Sequence, residues 1–367
     1  MRILQLINVK ADMVLGKTIY SASGNTLLAA GVGLTTLYIN RLKELGVPAL
    51  YIKDGLCDDV EMPEIISEAT RVDAQKAVKD VFERGLKGEK VCFNTIKYMA
   101  NHIVDEAIVN RQALINLTDI RTYDDYNYGH SVNAALIAVM TGISLSYNQL
   151  QLRDLAVGVL LHDIGKTFIS KEILNKLGRL TAKEFQEVKS HCAKGFELLR
   201  NHEEISLLAA HIAFQHHEKY DGSGYPRGLK GKGIHEFARI AALADVYDAL
   251  TTERIYKKAY TPFQATQVII DCSISHFDPS LLKAFVQNIA VYPVGSVLSL
   301  TSGEIGVVVK TRRENPKRPV VRIVLSKDKK PVFPMEEVDL AEEFGLQVIK
   351  VLSEDDNHML SIPWMGK

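Results

Sequence analysis

Two clusters in this chain could do chemistry: His162-Asp163 followed by Ile164-Gly165-Lys166, and His216-His217-Glu218 leading into Asp221-Gly222-Ser223-Gly224-Tyr225-Pro226. Both lie on largely apolar segments, where ordinary packing prefers hydrocarbon to imidazole or carboxylate. A lone histidine in such a place is usually a hydrogen-bonded core residue. A carboxylate buried beside an imidazole, by contrast, is costly unless a metal or a partner compensates it. Divalent metal is therefore the economical explanation. Imidazole suits Zn, Fe, Mn or Ni, and a carboxylate can bridge two ions, so the pattern points to a multinuclear hydrolytic centre rather than a cysteine-based structural zinc. Gly165 allows a sharp chain path after the His-Asp pair. His216 and His217 stand about 100° apart if helical, and so can face two ions or two sides of one site. The Asp221–Gly224 turn, with its exit fixed by Tyr225-Pro226, places a polar loop at the mouth of the same site.

The two clusters together resemble the HD-GYP branch of the HD-superfamily phosphohydrolases, including the Gly-Tyr-Pro at 224–226. The resemblance extends upstream through Tyr128-Gly129-His130-Ser131-Val132-Asn133. Downstream it runs through Ala238-Arg239-Ile240, Ala244-Asp245-Val246-Tyr247-Asp248-Ala249-Leu250-Thr251 and Arg254-Ile255-Tyr256-Lys257. It implies metal ligands His130, His162, Asp163, His191, His216, His217 and Asp245, with Asp163 bridging the ions. Some relatives hold a third metal through a glutamate four residues before the first histidine. That position is Tyr126 here, so two ions are expected, iron first and manganese second.

The same resemblance implies hydrolysis of cyclic di-GMP to linear pGpG and on to GMP. Paired ions would lower the pKa of a bridging water and give hydroxide near neutral pH for in-line attack at phosphorus. Asp163 and Lys166 would be the catalytic residues, with Lys166 stabilising the added charge or assisting the departing ribose oxygen. Arg254 and Lys257 would hold substrate phosphate, and Tyr225 would face the substrate. The Asp221–Pro226 loop could also dock a diguanylate cyclase domain. Two segments depart from the family pattern. Its Ile-Pro-Leu is Ile234-His235-Glu236 here and its Arg-Pro-Tyr is Arg254-Ile255-Tyr256, which bears on loop shape and substrate affinity because proline pre-sets φ. Two alternatives stay open: a phosphodiesterase for a mixed GMP-AMP ring, and a cyclic dinucleotide sensor without turnover. The complete ligand set weighs against the sensor.

The elements that must position these residues are mainly α-helical. Residues 96–290 are expected to form an all-helical HD-type core, with apolar runs Val132–Ile143, Leu152–Leu161, Ala182–Leu199, Ile205–Ile212 and Ala238–Leu250. Residues 1–57 read as a small α+β module. Its parts are a hairpin around Ser23-Gly24-Asn25, a helix from Thr35 to Leu45 closed by Gly46, and a strand from Val47 to Ile52. Residues 58–95 read as a connecting helix. Its stripe of Ile65, Val72, Val78, Val81 and Phe82 could serve a homodimer or pack on its own domain. Residues 291–367 read as a small β-barrel-like module with strands at Val297–Leu300, Ile305–Val309, Val320–Leu325 and Pro331–Phe333. The basic loop of Arg312, Arg313, Lys317 and Arg318 reads as a solvated hairpin tip.

The 367 residues carry 44 Lys+Arg against 44 Asp+Glu, so no global field draws the chain to a nucleic-acid polymer or an anionic membrane. Cys57, Cys92, Cys192 and Cys272 form no Cys-x-x-Cys pair and read as reduced thiols of a cytoplasmic protein. No apolar run approaches the ~20 residues that span a bilayer, and the start of the chain does not read as a signal peptide.

Overall fold

A computed structural model describes residues 1–20, 26–47, 49–60, 64–116, 126–176, 178–252, 259–273 and 275–352, apart from the side chains of residues 3, 126 and 127. Arg254-Ile255-Tyr256-Lys257 and the side chain of Tyr126 therefore lie outside the described residues. The chain is mainly helical, with small sheets at both ends. The described residues divide into two compact units. One draws on Met1–Pro63 and Ile289–Lys367, and the other on Glu64–Leu117 and Asn127–Asn288.

In the first unit the chain starts with β1 (Arg2–Gln5), β2 (Val14–Leu15), β3 (Ile19–Tyr20) and β4 (Thr26–Leu28), followed by α1 (Thr36–Glu44) and β5 (Ala49–Lys53). The hairpin expected before α1 is the β3–β4 pair, with Ile19 opposite Leu28. Thr35 caps α1 by accepting from the Tyr38 N–H at 3.2 Å, and Gly46 follows the helix at φ 71°. β5 lies between β1 and β2, both antiparallel to it.

The second unit is all helical: α2 (Glu68–Leu86), α3 (Asn94–Val109), α4 (Tyr126–Ser144), α5 (Gln149–Leu160), α6 (Lys171–Leu174), α7 (Ala182–Lys189), α8 (His191–Arg200), α9 (Leu207–Gln215), α10 (Glu236–Thr251), α11 (Pro262–Asp271) and α12 (Pro279–Val286). The chain then returns to the first unit as β6 (Val297–Leu300), β7 (Ile305–Lys310), β8 (Val320–Leu325), β9 (Glu337–Asp339) and β10 (Val348–Val351), paired antiparallel in the order β10-β6-β7-β8-β9.

Four findings differ from the sequence expectation. First, the two terminal modules share a core, since Leu56 and Cys57 pack with Val297, Ile305, Val307 and Val324. Arg322 also reaches Asp59 with both guanidinium nitrogens at 2.7 Å and donates to the Leu56 carbonyl at 2.9 Å. Second, the segment read as a connector contributes α2, which packs on α3 within the helical unit. Ile65, Val78, Val81 and Phe82 are buried there, and Phe82 meets Tyr128 edge to face at 6.0 Å. The apolar stripe is consumed internally. Third, Pro331 makes only an isolated bridge to Leu325, because a proline has no N–H for a ladder; the outer strands are β9 and β10 instead. The basic loop is likewise not a bare tip, since Arg312 pairs with Asp339 and Arg318 donates to the carbonyls of Leu340, Glu343 and Leu346.

No helix among the described residues is long and apolar enough to cross a membrane.

Helix α5 begins with a reciprocal cap, in which the Gln151 N–H donates to Asn148 Oδ1 at 2.9 Å and the Asn148 N–H to Gln151 Oε1 at 3.0 Å. It packs closely on α9, and Gly158 makes this possible. A Cβ there would stand 2.4 Å from Ile212 Cδ1 and 2.9 Å from Ala209 Cα. Since α5 ends next to His162 and α9 ends next to His216, this contact sets the spacing of the two clusters. Gly158→Ala is expected to destabilise the protein by about 1–3 kcal/mol through overpacking, read as a lower denaturation midpoint. An unchanged midpoint would mean that the α5–α9 contact is looser than described.

Candidate metal centre

All seven expected ligands converge in the helical unit, five of them at helix ends. His162 and Asp163 lie just past α5, His191 is the first residue of α8, His216 and His217 follow α9, His130 sits in α4 and Asp245 in α10. The donors form two groups, Asp163 with His191, His216 and His217, and His130 with His162 and Asp245; in each, the ligand atoms lie within 4.8 Å of one another. Asp163 stands between the groups. Its Oδ1 is 3.5 Å from His191 Nε2 and 3.7 Å from His216 Nε2, while its Oδ2 is 3.4 Å from His162 Nε2.

Local backbone geometry aims the imidazoles. The Nδ1 of His162 meets the Val159 carbonyl at 2.7 Å, that of His191 the Val188 carbonyl at 2.6 Å, and that of His216 the Ile212 and Ala213 carbonyls at 3.1 Å. Each Nδ1–H donates to the turn behind it, which fixes the tautomer and leaves Nε2 as the inward lone pair. His191 gains this pose because the helical run expected from Ala182 to Leu199 breaks at Ser190, whose hydroxyl donates to the Glu187 carbonyl at 2.6 Å. Gly165 lets the turn after Asp163 press against α8, where a Cβ would lie 1.9 Å from the His191 carbonyl oxygen.

The protonation pattern suits ligands. Burial pushes His191 and His216 below the usual imidazole range and His217 to about 4, so all three are neutral. Burial alone would raise Asp163 and Asp245, but the Lys166 ammonium and neighbouring imidazoles hold Asp163 well down, and His130 does the same for Asp245. Burial would likewise lower His130, yet Asp245 at 3.0 Å from Nε2 and Asp248 at 2.6 Å from Nδ1 hold it up to about 10. That proton marks a place where the site demands positive charge. Burial raises the Cys192 thiol, which stays neutral beside His191.

The donor set fits divalent metal on an independent observation: His162 Nε2 and Asp163 Oδ1 are buried with no hydrogen-bond partner. Buried orphan acceptors aimed into a cluster of lone pairs are costly unless a cation compensates them.

Lys166 donates to Asp163 Oδ2, and Tyr225 lies tilted by 32° against His217 with ring centroids 4.8 Å apart, so both expected residues border the donors. Sequence reasoning gave no role to three others. Asp248, buried in α10, accepts from His130 at one oxygen and from Asn133 Nδ2 at 2.8 Å on the other; Asn133 Oδ1 accepts in turn from Arg71 at 2.8 Å. Its signal was the three-residue spacing from Asp245, which puts both carboxylates on one face of a helix. Glu218 is buried and accepts the N–H groups of Arg227 at 2.8 Å and Leu229 at 2.9 Å, thereby shaping the Gly-Tyr-Pro loop. Gln215 accepts the His235 N–H at 2.8 Å, a bond that the family's proline at that position could not donate.

Residues 106–281 match the family model described as an HD domain, and residues 297–358 match one described as a KOW domain associated with HD domain. Residues 106–281 thus carry an HD domain. A cyclic di-GMP phosphodiesterase of Pseudomonas aeruginosa is 34% identical to this HD-domain chain over 267 residues, covering 73% of this chain and 64% of the relative. The chain thus spans less than two thirds of that relative's length. A 3'3'-cGAMP-specific phosphodiesterase of Vibrio cholerae is 40% identical over 129 residues, covering 35% of this chain and 25% of the relative. Among solved structures, an HDG"Y"P protein from Bdellovibrio bacteriovorus shares the fold at a TM-score of 0.50 and 18% identity, covering 77% of this chain and 97% of its own.

Asp248→Asn keeps shape but removes the charge behind His130. It is expected to weaken metal retention about 10–100-fold, read by chelator competition with metal quantified on the folded protein. Retention equal to the parent would sink the role assigned to Asp248.

Proposed function

We propose that this HD-domain protein is a metal-dependent phosphodiesterase that opens cyclic di-GMP to linear pGpG and cleaves that on to GMP. One observation carries the reading: seven metal-competent side chains, the buried carboxylate of Asp163 among them, gather in two adjoining groups, with His162 Nε2 and Asp163 Oδ1 left without protein partners. The names of the Pseudomonas relative and of other relatives lend it further support.

His191, His216, His217 and Asp163 would hold one ion, and His130, His162 and Asp245 the other, with Asp163 reaching both. When bound, divalent ions supply Lewis acidity toward phosphodiester oxygens and lower the pKa of water. Each ring-opening consumes one water, whose oxygen joins phosphorus as the bond to the ribose O3′ breaks and whose proton ends on that O3′. Lys166, poised on Asp163, lies where an ammonium can neutralise the added charge or deliver that proton. Arg254 and Lys257 are proposed to hold phosphate, and Tyr225 to face the substrate beside His217. Iron is the proposed occupant in cells, with manganese able to substitute, since imidazole and carboxylate donors suit both.

The mixed GMP-AMP ring is the second reading, motivated by the Vibrio relative, because the donor set specifies phosphodiester chemistry rather than base identity. The loop from Asp221 to Pro226 exposes Asp221, Ser223 and Pro226, and is proposed as the surface for a diguanylate cyclase partner.

Protein reconstituted anaerobically with Fe(II) or Mn(II) is expected to convert cyclic di-GMP to pGpG and GMP, and His162→Ala/Asp163→Ala to abolish the products. Lys166→Ala is expected to cut kcat by about 10²-fold or more while metal content stays near the parent's. Tight binding of cyclic di-GMP by metal-loaded protein without product would replace the enzyme with a sensor.

A further inference from the structure

Helix α7 carries Phe185, which is 45% exposed rather than buried. Four residues on, the Lys189 ammonium lies over the Phe185 ring at 4.7 Å from its centroid and over the Tyr225 ring at 5.3 Å. A phenylalanine and a lysine one helical turn apart often pair on a surface. Here a third member comes from a distant loop. Tyr225 meets Phe185 edge to face at 6.3 Å and lies tilted by 32° against the expected ligand His217 at 4.8 Å. Among the described residues Lys189 makes no ion pair, and the protein groups facing its half-exposed ammonium are the two rings. The result is a continuous shelf of imidazole, phenol, ammonium and phenyl, running from a metal ligand outward to an exposed ring.

We propose that Phe185 and Lys189 form a nucleotide shelf, on which Phe185 stacks a purine base of the substrate while Lys189 pairs with an adjoining phosphate. This rests on the reading of the centre as one for nucleotide phosphodiesters, and it assigns base recognition to α7. An aromatic face stacks on any purine, so the shelf favours nucleotides over base-free phosphates without choosing guanine over adenine. A mobile ammonium is suited to pairing with a phosphate as a point charge.

The test compares GMP with ribose 5-phosphate, which keeps the sugar and phosphate but lacks the base, as ligands of the full Mn(II)-loaded chain by titration calorimetry. The parent is expected to prefer GMP by about tenfold, a typical value for one stacked base. Phe185→Ala is expected to remove the preference by weakening GMP alone, Phe185→Trp to restore it, and Lys189→Met to weaken both ligands. A GMP preference that survives in Phe185→Ala, or a parent with none, overturns the shelf. Cyclic di-GMP turnover is measured on the same samples. A parent that shows the Phe185-dependent preference but no turnover leaves the shelf standing and overturns the phosphodiesterase reading instead.

Discussion

One buried carboxylate organises the helical unit. Asp163 carries its negative charge at 8% exposure, with the imidazoles of the adjacent His162 and of His191 and His216 from two other segments close to its oxygens. In a low-dielectric interior such a charge must be compensated, and Lys166 reaches only one of its two oxygens. The remaining demand falls on whatever cation the lone pairs of the histidines can share. The end of α5, the start of α8 and the end of α9 are held to positions that bring imidazoles to this single residue.

The construction divides precision from adaptability. Four of the five imidazoles, those of His130, His162, His191 and His216, are tied by Nδ1 to backbone carbonyls or, for His130, to Asp248, so little rotamer freedom remains to them. The loop beyond His217 is held differently, with Glu218 gathering two of its N–H groups and leaving Asp221, Ser223 and Pro226 exposed. Helix ends thus carry five of the seven donors, while the loop and α7 present exposed residues to solvent. The Gln215–His235 bond is this chain's own way of fixing the start of α10, using an N–H that proline lacks.

The unit formed by the two chain ends has its own logic. The turn after β5 packs Leu56 and Cys57 into the apolar cluster of the C-terminal strands, and Arg322 ties the two by spanning Asp59, Glu337 and the Leu56 carbonyl. The N-terminal strands and α1 bury a cluster of their own around Leu15, Leu34, Leu50 and Ile52, so the contact at Leu56 and Cys57 adds to that core rather than replacing it.

Much of the site was legible in the sequence because its residue types are chemically extravagant. Adjacent His-Asp and His-His pairs on apolar segments have few structural explanations, and helical periodicity located α4, α5, α9 and α10 around them. The mainly helical class, the N-terminal hairpin and β6 to β8 followed from local pattern alone. What sequence could not decide depended on contacts between distant segments. The break at Ser190 that turns His191 inward, the role of Asp248 behind His130 and the gathering of loop N–H groups by Glu218 each need a partner that no local period announces. The shared core of the two ends and the internal use of the α2 stripe were hidden for the same reason. Residue chemistry and periodicity are written locally. Which buried group compensates which, and which apolar face covers another, is settled only when the chain closes on itself.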